Sequence, residues 1–165
     1  EHAHIPQQLV LQPAAVRLVP LALALPKGRV GYVAGSGDTV AQDLAHVGLA
    51  IETIDEETLR SGDLGRYAAI VVGIRAYNTS DAVRAAHERL MRWVEQGGTL
   101  VVQYNTNSRL APLPGPVGPY PLVIGRERIT DETAAMVAID PNDPILRTPN
   151  RLGDADFDGW VQERG

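Results

Sequence analysis

The chain of 165 residues contains no cysteine, a single lysine and no long hydrophobic run. Without cysteine it cannot form disulfides, bind metals through thiolates or use a cysteine nucleophile. No stretch reaches the roughly 20 apolar residues of a membrane-spanning helix, and no signal peptide is recognisable. These absences exclude several kinds of site at the outset, although they leave the redox compartment open.

The charge balance argues against nucleic acid as a partner. The formal net charge is −5, and arginine supplies nearly all the positive charge without forming a basic cluster. A nucleic-acid-binding domain usually has a basic face or stripe. Hydrophobic residues make up 44% of the chain and charged residues 21%, which is ordinary for a globular domain. We therefore expect one domain with no membrane span and no nucleic-acid partner.

Strands and helices are predicted to alternate from residue 29 onward. Four short apolar or β-branched runs predict strands, at 29–34, 50–54, 68–72 and 99–104. Apolar residues at helical spacing and capping signals predict helices, over 39–47, 55–61 and 80–96. Asp38 is a suitable N-cap for the first helix, and either Ser80 or Asp81 for the third. This alternation indicates right-handed crossovers and a mostly parallel sheet, so the predicted fold class is α/β.

Two segments lie outside this alternation. Residues 1–28 are predicted to be a lead-in segment, in which the apolar stretch 16–25 could form edge strands because Pro20 interrupts it. Residues 105–130 contain five prolines within ten positions, which excludes a helix or a central strand. A long irregular segment in a compact domain is usually functional or disordered. A further strand is predicted at 134–139, and a short helical turn at Asp154.

Polar residues directly follow three of the predicted strands. GSGD follows the first strand, GIRAYN contains the end of the third, and QYN ends the fourth. The carboxyl ends of parallel strands lie at one edge of the sheet, where open α/β folds bind ligands. Arginine, carboxamide and tyrosine side chains suit sugars, carboxylates or a peptide segment. The candidate ligand-binding residues are Ser36, Asp38, Arg75, Tyr77, Asn78, Gln103, Tyr104 and Asn105.

The same residues allow other interpretations. The polar groups could instead bond one another and hold the proline-rich segment in place. GSGD resembles a phosphate-binding turn, but Asp38 would put a negative charge at the phosphate, and the dinucleotide fingerprint and the Walker lysine are absent. No His/Asp/Glu grouping has metal-ligand spacing. His87 lies on the apolar face of its helix and is predicted to be structural. No metal, cofactor or catalytic residue is predicted.

Several motifs together resemble a known family. GYVAGSGD, YAAIVVGIRAYNT, GGTLVVQYNTN and ADFDGWVQERG are similar to the glutamine-amidotransferase-like domain associated with bacterial PIG-L (LmbE-type) deacetylases. The resemblance covers residues 29–165 and implies a three-layer sandwich of the class I glutamine-amidotransferase-like, flavodoxin-related kind. In active amidotransferases the nucleophilic cysteine ends a strand after a GG turn, which corresponds to Tyr104 or Asn105 here. The resemblance therefore implies the fold without the catalytic chemistry.

The resemblance also implies a function. The expected role is a non-catalytic accessory domain that binds a carbohydrate-like ligand, or docks against a zinc-dependent N-deacetylase module of the same polypeptide. The alternatives are an enzyme that uses other residues, such as Asp38 with Tyr104, and a structural or oligomerising domain. Because the family domain continues with a further strand and helix, the chain is expected to be truncated at its C-terminus. Related proteins are often exported, which favours a location outside the cytoplasm.

Overall fold

The computed structural model of this protein describes residues 11, 13–16, 18, 20, 22–118, 120–125, 129–131 and 133–159. Within them four strands form one all-parallel sheet: β1 (Arg29–Val33), β2 (Ile51–Thr53), β3 (Tyr67–Val72) and β4 (Thr99–Val102). Their spatial order is β2-β1-β3-β4, so β1 and β3 are the central strands. The predicted α/β fold with a parallel sheet is confirmed, and this strand order is compatible with a flavodoxin-like fold.

Helices cover both faces of the sheet. They are α1 (Val40–His46), α2 (Glu56–Ser61), α3 (Ala76–Thr79), α4 (Asp81–Ala85) and α5 (His87–Glu95), with 3-10 turns at Pro144–Leu146 and Asp154–Asp156. α1 packs on the face that carries Val30, Tyr32 and Val71, which we call the α1 face. α2, α4 and α5 pack on the opposite face, over Ile70 and Val72, which we call the α5 face. The larger core lies under the α5 face, because more helices cover it.

The helix starts agree with the predicted caps in one case and differ in another. The Ser80 hydroxyl accepts a hydrogen bond from the Val83 N–H at 3.3 Å and so caps α4, as predicted. α1 begins after Thr39, whose side chain makes no capping hydrogen bond. The N-cap position is thus one residue later than predicted, although the Asp38 carboxylate does accept from the Val40 N–H at 3.3 Å, in the first turn of α1. The same carboxylate also accepts from the hydroxyl of Tyr32, which lies on β1.

The predicted long helix over 80–96 is divided in two. It ends at Ala85 and restarts at His87, and Ala86 between them has φ −85° and ψ 0°. Both pieces bury an apolar residue in the same core, Val83 from α4 and Leu90 from α5. The break thus allows two short helices to follow the sheet where one straight helix was expected. α3, a single turn before them, was not predicted.

The strand predicted at 134–139 does not form. The described residues of this segment are in no strand, and Val137 and Ile139 are 79% and 103% exposed. Apolar, β-branched composition is not enough for a strand, because a neighbouring strand must supply the ladder hydrogen bonds and a packed layer must cover one face. This segment has neither among the residues that the structure describes.

The lead-in segment is held to the other end of the chain. The Ala24 N–H donates to Asn150 Oδ1 at 2.8 Å, and Asn150 Nδ2 donates to the Ala24 carbonyl at 3.0 Å. The described positions of the stretch 16–25 carry no strand. Residues 17, 19 and 21, which also belong to the predicted edge strands, lie outside the described residues.

Candidate functional site

Backbone hydrogen bonds join the segments that follow β1, β3 and β4. The Ser36 N–H donates to the Ile74 carbonyl at 2.7 Å, and the Arg75 N–H donates to the Tyr104 carbonyl at 2.7 Å. The Gln103 N–H continues the ladder between β3 and β4. The structure therefore brings the segments of Ser36, Arg75 and Gln103 to one edge of the sheet, which we call the carboxyl edge. Their role in ligand binding stays a prediction.

Two glycines allow the strand ends to come so close. A Cβ atom at Gly35 would lie 2.3 Å from the Ile74 carbonyl oxygen, and one at Gly73 would lie 2.6 Å from the Tyr32 hydroxyl. Any other residue at either position would force backbone or a buried ring to move. The glycines thus set β1 and β3 in direct contact at the switch point, which is where doubly wound α/β folds bind their ligands.

A tyrosine that sequence reasoning missed lies at the centre of this edge. Tyr32 is 4% exposed, and its hydroxyl donates to Oδ1 of Asp38. The same oxygen lies 3.3 Å from the Val40 N–H. Burial, together with the hydrogen bond to Asp38, raises the pKa of Tyr32, so the phenol keeps its proton and remains a donor. The sequence feature that could have indicated this residue is a tyrosine within the apolar strand GYVA, because a buried phenol needs a hydrogen-bond partner.

Asp38 and Gln103 both lie near this tyrosine. Val72 pairs with Val102, so Gly73 and Gln103 are level with each other on neighbouring strands. Side chains alternate along a strand, which puts Gln103 on the α1 face with Tyr32, because Val102 lies on the α5 face. Gly73 has no side chain, and the Tyr32 hydroxyl lies over it. Asp38 and Gln103 therefore lie on the same face of the sheet as the Tyr32 hydroxyl.

Three buried oxygen atoms at this edge have no hydrogen-bond donor among the described residues. They are Oδ2 of Asp38, Oε1 of Gln103 and Oδ1 of Asn105. Asn105 is 6% exposed, and its Nδ2 donates to the Gln103 carbonyl at 2.8 Å. An unpaired buried acceptor costs about 1–3 kcal/mol, and native structures contain few of them. All three atoms belong to residues that follow β1 or β4 at the carboxyl edge.

Arg75 is held in an unusual backbone conformation. Its φ is +57°, the only positive value for a non-glycine residue in the described part of the chain. Its carbonyl accepts from the N–H groups of Asn78 and Thr79 at 2.8 and 3.0 Å, which helps to fix the turn. A left-handed conformation costs a non-glycine residue roughly 1–2 kcal/mol, and such residues cluster at ligand sites. The exposed guanidinium has no hydrogen-bond or ion-pair partner among the described residues.

Two of the predicted residues lie inside the fold instead. Tyr77 is 0% exposed, and its hydroxyl is 3.2 Å from Nδ1 of His87. The Asn78 carboxamide donates to the carbonyls of Thr106 and Ala111 and accepts from the N–H and hydroxyl of Thr106. α3 turns both side chains inward. Tyr77 is thus a core residue, and Asn78 fixes the start of the proline-rich segment, as the alternative interpretation predicted for the polar cluster.

The remaining candidates are exposed. Ser36 lies on the surface of the turn after β1, and Tyr104 is 47% exposed after β4. Tyr104 and Asn105 occupy the place that the family resemblance assigns to a nucleophile. Neither histidine in the described residues is at the carboxyl edge, since His46 ends α1 and His87 begins α5. His2 and His4 lie outside the described residues.

Two clefts lie away from the carboxyl edge. A polar cleft of about 700 Å³ runs between α2 and the pair α4 and α5, and an apolar groove of about 720 Å³ runs along α5. The described residues contain no group of three or more His, Asp or Glu placed to hold a metal ion. None of the helices in that part of the chain has the length and apolar composition to cross a bilayer.

Comparison of the chain with protein-family models, with curated proteins and with solved structures finds no match. The resemblance to amidotransferase-like domains therefore depends on the sequence motifs alone.

Proposed function

We propose that this protein is a non-catalytic ligand-binding domain that binds a carbohydrate-like ligand at the carboxyl edge. The ligand would lie at the ends of β1, β3 and β4, where the segments of Asp38, Arg75 and Gln103 come together. The observation that carries the proposal is the set of buried acceptor oxygens without donors on Asp38, Gln103 and Asn105. A bound molecule that supplies donors would remove the cost of leaving them unpaired.

The chemistry of these residues favours a polyhydroxylated ligand. The three unpaired oxygens require hydrogen-bond donors, and sugar hydroxyls are donors as well as acceptors. The Arg75 guanidinium offers a rigid fork of donors to ring or carboxylate oxygens. The exposed ring of Tyr104 gives a flat apolar face of the kind that packs against a sugar ring. Together these groups match a ligand that is polar around its rim and apolar on its faces.

Two features support a binding role over catalysis. The sequence has no cysteine, and tyrosine or asparagine stands where the resemblance assigns the nucleophile. The phenol of Tyr32 stays protonated because burial and Asp38 raise its pKa, so it is a poor base near neutral pH. An enzyme that uses Asp38 with Tyr104 is the alternative, and a screen for amidase and glycosidase activity tests it.

The wider context of the proposal comes from the resemblance. It makes this chain a class I glutamine-amidotransferase-like domain within a PIG-L-type deacetylase polypeptide that acts outside the cytoplasm. Docking of the catalytic module is a second candidate role, and one observation favours it. Val101 on β4 is 48% exposed on the α1 face, where α1 covers β1 and β2 but leaves β4 open.

The direct test is a titration with glucose, N-acetylglucosamine, glucosamine, glucuronate and myo-inositol, followed by calorimetry and by amide chemical shifts. We expect one or more of them to shift the signals of Ser36, Gly73 and Gln103. Gln103→Ala should weaken binding at least tenfold, equal to about 1.4 kcal/mol. Arg75→Lys should also weaken it, because lysine cannot reproduce the fork.

Matched variants control for general effects. Gln42→Ala on α1 and Arg60→Lys on α2 change exposed residues of the same types and should leave affinity unchanged. Thermal melting of every variant shows whether the fold is intact. The proposal fails if none of the five compounds binds at millimolar concentration, or if Gln103→Ala binds as tightly as the unaltered protein.

A further inference from the structure

We propose that the groove along α5 is a second binding site, for an apolar small molecule that carries a neutral hydrogen-bond acceptor. The groove lies between α5, β4 and residues 116–118, and its volume is about 720 Å³. Ligand pockets commonly measure roughly 300–1,000 Å³ and combine apolar walls with a few placed polar groups. This groove is on the α5 face and shares no residue with the carboxyl edge, so the proposal is independent of the one above.

The walls of the groove are mainly apolar. Its apolar residues come from three parts of the chain and are Met91, Val94, Leu100, Pro116 and Val117. All except Pro116 are half-buried and pack against the main core, so the walls are fixed by the fold. Apolar surface exposed in a concave groove is favourable to cover, because covering it releases water. The body of the ligand is therefore expected to be an alkyl or aryl group.

His87 is the polar group in the wall, and Tyr77 determines which nitrogen carries its proton. The imidazole is 6% exposed, with Nδ1 3.2 Å from the Tyr77 hydroxyl. Tyr77 is completely buried, and no other acceptor for its hydroxyl occurs among the described residues. Since a buried hydroxyl needs an acceptor, Tyr77 donates to Nδ1. The imidazole proton is therefore on Nε2.

Nε2 lies beside Gly115, the residue that precedes the groove segment 116–118. A Cβ atom at Gly115 would lie 3.0 Å from Nε2, and no described residue hydrogen-bonds that nitrogen. Burial lowers the pKa of His87, and the opposing effect of Glu88 is smaller, so the ring is neutral at pH 7. The groove thus contains one fixed N–H donor beside an apolar surface. A ligand that fits must bring an acceptor to that point.

The charges at the rim select a neutral acceptor. Glu88, Glu95 and Arg92 border the groove, and Arg92 lies 3.8 Å from Glu88. The rim therefore has one negative charge in excess, which disfavours a carboxylate. An ammonium group has no acceptor to offer Nε2–H. The ligand class that satisfies both conditions is a ketone, ester or amide with an apolar body.

The two methionines of the chain make the test direct, because Met91 lines the groove and Met136 does not. In protein labelled with ¹³C at the methionine methyl groups, 2-heptanone should shift the Met91 signal saturably and leave Met136 unchanged. Met136→Leu assigns the two signals. Heptanoate and heptylamine, which have the same chain length, should bind at least fivefold more weakly.

A variant locates the polar contact. Gly115→Ala places a methyl group against Nε2 and should weaken the binding of 2-heptanone at least fivefold. Gly153→Ala is the control, because its methyl group meets no atom within 4 Å, and it should leave the affinity unchanged. If Gly115→Ala perturbs the fold, the His87 ring signals of the unaltered protein report the contact, because Nε2 and Hε1 must shift with Met91. The proposal is overturned if Met91 does not shift, if both methionines shift alike, or if heptylamine binds equally well.

Discussion

The two sides of the carboxyl edge differ in whether their buried polar atoms have hydrogen-bond partners. On the α5 face, the Tyr77 hydroxyl meets His87, and the Asn78 carboxamide makes hydrogen bonds with both of its polar atoms. On the α1 face, Asp38 and Gln103 each keep a buried oxygen without a donor among the described residues. All four residues looked equivalent in the sequence, since each closely follows a strand.

This difference in hydrogen bonding arises because different elements cover the two faces of the sheet. Where helices and the proline-rich segment pack over the strand ends, they supply partners for the Tyr77 hydroxyl and the Asn78 carboxamide. Where only α1 covers the sheet, the buried oxygens of Asp38 and Gln103 have no donor among the described residues. The layer that covers a strand end thus decides whether the polar groups there find protein partners. The four predictions below test this comparison, from the largest expected effect to the smallest.

Tyr77→Ala should cause the largest loss of stability. Removing a completely buried aromatic side chain leaves a cavity, and such changes cost about 3–5 kcal/mol. Urea denaturation measures the free energy of unfolding. Tyr104→Ala, at an exposed tyrosine of the carboxyl edge, is the control and should change it by less than about 0.5 kcal/mol. Equal losses would place both tyrosines in the same environment and contradict the comparison.

Asn78→Ala should destabilise the protein by about 2 kcal/mol, because it removes hydrogen bonds to Thr106 and Ala111 and leaves their backbone groups unpaired. Amide hydrogen exchange should also become faster at Thr106. In Gln103→Ala an acceptor that already lacks a donor is deleted, so stability should hardly change. A loss of similar size in both variants would show that Gln103 is also a structural residue.

Stability should fall at acidic pH through His87. Burial holds its pKa in the folded protein below the ordinary value of 6.5, so the unfolded chain binds a proton first as the pH drops. The stabilisation is complete above pH 6.5 and is lost below it, by at most about 1.4 kcal/mol per pH unit. Denaturation at pH 7.5 and 5.5 measures this. His87→Gln should remove the extra loss and His46→Gln should keep it; an unchanged slope in His87→Gln rejects the assignment.

Arg75→Gly should make the protein slightly more stable. Glycine adopts the φ of +57° at this position without the cost that arginine has. Glycine also has greater conformational entropy in the unfolded chain, which offsets part of this benefit. The net gain in the free energy of unfolding should be about 0.5–1 kcal/mol. The same substitution at Arg60, inside α2, should cost about 1 kcal/mol. A gain in stability together with lost ligand binding would identify Arg75 as a residue kept for function. A loss of stability would mean that its side chain supports the fold.

Much of the fold could be predicted from local pattern. The four strands of the parallel sheet, the cap at Ser80 and the irregular 105–130 segment follow from apolar runs, a capping residue and prolines. The errors occurred where distant packing decides. The segment 134–139 has apolar, β-branched composition but no neighbouring strand among the described residues. At Ala86 no glycine or proline is present that would predict a break in the helix.

The structure places six of the eight candidate residues where the sequence predicts them, and their role in binding stays a prediction. Ser36, Asp38, Arg75, Gln103, Tyr104 and Asn105 lie at the carboxyl edge, whereas α3 turns Tyr77 and Asn78 into the fold. Tyr32 was missed because it sits inside a strand, where a phenol suggests a core residue. Its hydroxyl reaches the edge only because Gly73 on the adjacent strand has no side chain.

Local patterns in the chain are sufficient to predict the alternation of strands and helices, and parallel pairing then brings three polar segments to one edge. Both depend on periodicity and on the direction of the strands, which are local properties. Which of the polar groups at that edge find hydrogen-bond partners depends on packing between distant parts of the chain. The partners of Asn78 are 28 and 33 residues away along the chain, and no local pattern specifies contacts at that separation.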